Sequence, residues 1–397
     1  MNRDIRVRPA LRQGHPARQT RGVRRAPRPY LALCLCLILS PALAWTAPGA
    51  EAESAPATPP PPTAQQARQA KLDAIVLRTL ASYAAEFTDV DFVVIDSSGD
   101  VGRNMSLLAR IIGKDPVPLD YEHPPELRST LLYMTLMRVE FLLQEDIGSA
   151  TLFRPGAGAL AKRDSVCIVT LDPWTIAHSD RAATRHLLDL PEAADARIPP
   201  AHYLERETHL RFALEHEIYH CLDTRYNGPI ARSDRKRWEE YSMLRDESGA
   251  DAFALINQIA RRGTVGQDAR TLRRIRGLTL LAGDPEHYTY PTLKAVLALK
   301  PSRLARLDVH QRFRLATELR DRTVGSYAHY LRFARAANEA MRHLGVGIAH
   351  TLRNGHAARK NVVLRMVEET QRCYRALLGR TLPPPGHEAP SSESQSR

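Results

Sequence analysis

Cysteine is scarce in this chain, with five among 397 residues. Cys34 and Cys36 lie in an apolar run near the N-terminus, which leaves Cys167, Cys221 and Cys373 for the body. Three is an odd number, so no multi-bridge framework is implied and at most one pair can form in an oxidising compartment. None of the three has CxxC spacing, which argues against a cysteine metal knuckle or a dithiol redox motif. Long hydrophobic runs are missing as well. The run "YLALCLCLILSPALAW" at 30–45 falls short of the roughly 20 residues that a transmembrane helix needs. No internal repeat is visible, so a solenoid or array is not indicated.

Positive charge is also missing from where a nucleic-acid binder would carry it. The chain has a net charge of +12. Residues 1–30 hold nine Arg and one Asp, a net +8, which leaves only +4 for everything after them. A basic start, an apolar run and the small-x-small step Ala42-Leu43-Ala44 make a secretory signal pattern over 1–50. The mature chain is therefore expected outside the cytoplasm, in the periplasm or beyond. An uncleaved signal anchor is the alternative, and it would be the chain's one link to a membrane.

What is present reads as one folded body between two tethers. Residues 51–66 are a proline-rich linker, 381–397 a disordered tail, and 67–380 a single domain. Its apolar content of 43% and charged content of 25% are those of an ordinary globular protein. Residues 67–87 read as a helix, 90–96 and 165–172 as buried strands, and 124–148 as a long helix stopped by Gly148. From about 205 onwards the pattern is helical, broken at "YNGPIARSD", "RRGTVGQD" and "AGDPEHYTYP". The fold class is thus α+β, predominantly α-helical, with a small sheet in the first half. Arg-rich segments at 270–278 and 303–322 interleave basic residues with acidic and core positions, and read as solvated faces.

Chemistry concentrates in "EHEIYHC", residues 215–221. His216 and His220 are four residues apart and share one face of a helix. With His216 at 0° on a helical wheel, His220 falls near 40° and Glu217 near 100°. Leu210, Leu214, Ile218, Cys221 and Leu222 fall on the opposite half, so one side seeks a core while the other carries two imidazoles and a carboxylate. Two histidines are too few for a catalytic zinc, which generally takes three protein ligands and keeps a fourth position for water. The extension HExxHxxGxxH is absent, because Asp223 and Tyr226 stand where Gly and His would be required. Helix 238–260 offers Glu247 and Asp251 at i, i+4, beside the small residues Ser248, Gly249, Ala250 and Ala252 that would allow close packing. Glu240 and Asp246 are rival carboxylates on or near that face.

HEIYH followed, after 26 residues, by "ESGAD" resembles the gluzincin group of zincin metallopeptidases, and "ESGADAFAL" is similar to a stretch of the ImmA/IrrE-like peptidases. The resemblance covers residues 205–260. It implies a zincin-like fold binding one Zn2+ through His216, His220 and Glu247, with Glu217 as general base and Asp251 orienting a ligand histidine. It implies a peptide or protein substrate; no nucleic-acid partner is expected, given how little net charge lies beyond the leader. Zincins also bind peptide along an edge strand, for which 165–172 is the local candidate, and often stabilise the oxyanion with a Tyr or His further on. "EHYTY" offers His287, Tyr288 and Tyr290, although a polar loop with no catalytic role is the simpler reading. Two other readings stay open: a metal-dependent binding protein of the same fold, and a helical interaction protein without metal.

Overall fold

A computed structural model describes residues 63–96, 101–114, 116–119, 149–177, 179–187, 198–228, 236–346, 359–379 and 381. All fall within the unit Pro61–Arg397. The leader, most of the linker, the helix expected over 124–148 and nearly all of the C-terminal tail lie outside the described residues.

Helix α1 (Ala64–Glu86) begins with a reciprocal cap: Thr63 Oγ1 accepts the Gln66 amide at 3.2 Å, and Gln66 Oε1 accepts the Thr63 amide at 2.8 Å. The helix therefore starts inside the stretch expected to be linker. Strand β1 (Val90–Asp96) follows, then α2 (Val101–Ile112), β2 (Val117–Pro118), β3 (Ser149–Arg154) and β4 (Ser165–Leu171). They form one mixed four-stranded sheet in the order β1-β4-β3-β2, with β1 parallel to β4 and β3 antiparallel to both β4 and β2.

Side chains of β4 alternate between two cores, as the period of two requires. Val166 and Ile168 pack with Leu108, Ile111 and Ile112 of α2, whereas Cys167, Val169 and Leu171 face the main helical core. Burial on both faces explains why this strand reads as a continuous apolar run. It is also flanked on both edges. The expectation that 165–172 is a peptide-binding edge strand is overturned, since β1 and β3 occupy both of its hydrogen-bonding sides.

The second half is helical: α3 (Pro173–Ala177), α4 (Asp180–Leu187), a 3-10 turn at Pro200–His202, α5 (Arg206–Asn227), α6 (Lys236–Arg262), α7 (Gln267–Arg276), a 3-10 turn at Thr279–Leu281, α8 (Tyr290–Leu297), α9 (Pro301–Leu304), α10 (Val309–Val324), α11 (Tyr327–His343) and α12 (Lys360–Leu378). The fold is α+β and predominantly helical, as expected. Gly228 and Gly263, with φ of 90° and 67°, stand just past α5 and α6 where a left-handed residue lets the chain leave the helix. Described helices include none long and apolar enough to cross a membrane.

Helix α5 is central. It packs on β3 and β4, on α1 and α3, and most extensively on α6. A disulfide joins Cys221 of α5 to Cys167 of β4, with Cα atoms 5.7 Å apart, and leaves Cys373 as a buried thiol. One pair and one buried thiol is the outcome that three cysteines allow. Helices α5 and α6 run antiparallel, with Glu205 paired to Arg262 at one end and Tyr219 against Gly249 towards the other.

Candidate metal centre

The antiparallel pairing of α5 and α6 brings Glu247 opposite the HExxH turn. One donor atom from each of His216, His220 and Glu247 lies within 4.8 Å of the other two, so the group could hold a metal ion. His216 Nε2 is 3.1 Å from Glu247 Oε2, and His220 Nε2 is 3.6 Å from Glu247 Oε1. The rival carboxylates go elsewhere. Glu240 accepts from the Tyr330 hydroxyl at 3.1 Å, and Asp246 sits among Asp223, Arg320 and Arg245. Glu217 lies on α5 between the two histidines and is half-buried.

Close approach of the two helices depends on the small residues of α6. A Cβ built on Gly249 would collide with the Tyr219 ring and its hydroxyl, so glycine is what lets the phenol lie across this helix. Ser248, Ala250 and Ala252 are buried beside it. Tyr219 occupies the variable position before His220, and its Oη is within 3.3 Å of both Asp223 Oδ1 and Thr317 Oγ1.

Asp251 stands behind these three candidate ligands. His216 Nδ1 donates to Asp251 Oδ1 at 3.0 Å; Arg276 of α7 donates Nη2 to Oδ1 at 3.0 Å and Nε to Oδ2 at 2.8 Å; the Thr289 hydroxyl donates to Oδ2. A carboxylate has about four lone-pair sites, and all are used. Asp251 thus holds the Nδ1 side of the His216 ring. Arg276 was not anticipated: its segment read as a solvated face, yet it is buried on Asp251. Arg320, in the other Arg-rich segment, is fully buried against Asp223 at 2.7 Å and Asp321 at 2.9 Å. At these two positions the solvated-face reading is wrong, because each guanidinium has a carboxylate supplied from another part of the fold or from its neighbour.

Protonation follows from this charge arrangement. Burial disfavours a charged His216, but the Glu247 and Asp251 carboxylates on its two ring nitrogens raise its pKa to about 10. With both nitrogens donating, metal-free His216 carries a proton on Nε2, and a metal would take that proton's place while Nδ1–H stays on Asp251. His220 is pushed down to about 4 by burial, which the attraction of Glu247 only partly offsets, so its ring is neutral near pH 7. Glu247 and Asp251 are held below the usual carboxylate range despite burial, Glu247 chiefly by His287 and His216 and Asp251 chiefly by Arg276 and His216.

"EHYTY" divides. His287 reaches the site, with Nε2 3.5 Å from Glu247 Oε2 and Nδ1 2.6 Å from Asp284 Oδ2. Burial opposes its charge, yet Glu247 and Asp284 raise its pKa above the ordinary imidazole value. Tyr288 and Tyr290 instead pack in the core, so of the three side chains His287 is the one that stands beside Glu247. Searches for a matching protein-family model, curated protein or solved structure find none for this chain.

Proposed function

We propose that this chain is an exported zinc metallopeptidase of the gluzincin type, with a zincin-like domain and His216, His220 and Glu247 as ligands of one Zn2+. The observation that carries the reading is the arrival of Glu247, from a second helix, at the HExxH turn, with Asp251 of the same helix on the far nitrogen of His216. Two imidazole nitrogens and a carboxylate oxygen are a donor set that suits zinc and leaves a fourth position. A divalent zinc bound there would supply Lewis acidity and a water acidified towards neutral pH.

The chain's own residues do the rest. Glu217 takes the proton of the attacking water on its carboxylate and passes it to the leaving amine. Asp251 keeps His216 in the tautomer whose Nε2 faces the ligand position. His287, braced by Asp284, stands with Nε2 beside Glu247, where its charged form would present Nε2–H to the carbonyl oxygen as it gains negative charge. The basic leader and the disulfide next to His220 both suit an oxidising compartment outside the cytoplasm.

Zinc content of the purified chain, beside its His220→Ala and Glu217→Gln variants and with cleavage of a peptide library, tests the reading. The chain should carry about one zinc, lost in His220→Ala. Glu217→Gln should keep zinc and lose hydrolysis by about a hundredfold or more. Zinc without any cleavage in the wild-type chain would point to a metal-dependent binding protein instead. Absence of metal, after preparation without chelators, would overturn the metal centre itself.

A further inference from the structure

Asp251 has one partner more than the orientation of His216 and the neutralisation of Arg276 require. Thr289 is the N-cap residue of α8, where a threonine ordinarily accepts a hydrogen bond from an amide of the first helical turn. It makes no such bond. The Thr292 and Leu293 amides go to its main-chain carbonyl at 2.9 and 3.1 Å, while its fully buried hydroxyl turns the other way and donates to Asp251 Oδ2. The side-chain capping bond is forgone at this position, so helix initiation does not account for the side chain.

The backbone of Thr289 shows what the hydroxyl holds. Its N–H donates to the His287 carbonyl at 2.7 Å, closing a three-residue turn. His287, at the other end of that turn, is the residue whose Nε2 stands 3.5 Å from Glu247. Asp284 grips the same turn, accepting the His287 amide at 3.2 Å. Two carboxylates thus flank the His287 turn: Asp284 from within the loop, and Asp251 from the helix that also supplies Glu247.

Resting on the metal-site reading above, we propose that Thr289 is a positioning residue, whose hydroxyl fastens the His287 turn to Asp251 and so fixes His287 relative to the ligands. Without that hydroxyl one Asp251 lone pair loses its donor, and the turn loses its tie to the helix that carries Glu247, keeping the Asp284 hydrogen bond and the core packing of Tyr288. Helix α8 would still form, because its first amides bond the main chain.

Cobalt(II) loaded into the chain is the probe, with the paramagnetic shifts of the His287 ring protons as readout and His287→Gln to assign them. Thr289→Val should bind cobalt and melt near the wild-type temperature, yet lose the His287 shift to broadening or displacement. Thr289→Ser should keep it. If valine prevents folding, Thr289→Ala takes its place with the same expectation. An unchanged His287 shift in the variant lacking the hydroxyl, or a lost shift in Thr289→Ser, overturns the proposal while leaving the metal centre standing. A wild-type chain that takes up no cobalt overturns the metal-site reading, and this proposal with it.

Discussion

At the scale of single residues, the interior is organised by charges paired across long sequence distances. Glu215, buried on α5, is bound by both terminal nitrogens of Arg261 and by the Tyr83 hydroxyl at 3.1 Å. Asp223 holds Arg320, and Asp251 holds Arg276. Removing one partner of such a pair strands a charge away from water, which typically costs 3–5 kcal/mol. Asp89 is a nearer-surface example, accepting Tyr226 Oη at 2.6 Å and Arg225 Nε at 2.8 Å and so tying the end of α5 to the start of β1. Burial works against its charge, but the Tyr226 and Arg225 hydrogen bonds outweigh it and the carboxyl lies below its ordinary value. A folded-state pKa below the unfolded one means stability that is fully present above the unfolded value and lost as pH falls through the folded one. Asp89→Asn should therefore lower stability by about 1 kcal/mol at neutral pH, allowing for partial solvent screening. The deficit should shrink below about pH 4. Urea unfolding at several pH values measures it, and a difference that does not change with pH would remove the carboxylate from the account.

At the scale of elements, α5 and α6 carry the candidate metal site, and their spacing rests on Gly249. Alanine in place of a mid-helix glycine ordinarily stabilises by about 1 kcal/mol. Here its Cβ would meet the Tyr219 phenol, and overpacking typically costs 1–3 kcal/mol. Gly249→Ala is thus expected to destabilise the chain by about 1 kcal/mol net, and to weaken metal binding by separating Glu247 from the histidines. Thermal melts with and without zinc separate the two effects; a gain in stability would mean that the phenol moves aside at no cost. The helical wheel placed Leu210, Leu214, Ile218, Cys221 and Leu222 on a core face, and all five are buried. It did not show that α5 is buried nearly all round, including Glu215 and Asp223, because the arginines that neutralise them lie on α6 and α10. Nor could it show that the strand at 165–172 has neighbours on both edges, since pairing is decided by segments far away in sequence.

At the scale of the whole molecule, the Cys167–Cys221 disulfide joins the sheet to α5 across a sequence separation of 54. Closing a loop of that size in the unfolded chain corresponds to about 4 kcal/mol in the chain-entropy picture. The double variant Cys167→Ala, Cys221→Ala should lose stability of that order in denaturant unfolding, while Cys373→Ala should retain the disulfide's contribution. Equal losses would show that packing of the sulfurs, and not the covalent link, is what matters. Several features were determined by local sequence alone: the α+β class, the two long strands, the helix boundaries marked by glycine and proline, and the pairing of two histidines on one face. They rest on short-range physics, namely side-chain periodicity and the backbone preferences of a few residues. Only the tertiary structure decided which cysteines pair, that Glu247 rather than Glu240 or Asp246 meets the histidines, and that Arg276, Thr289 and His287 gather around them. Those choices depend on how helices pack across tens of residues, and that distance leaves no period in the sequence to read.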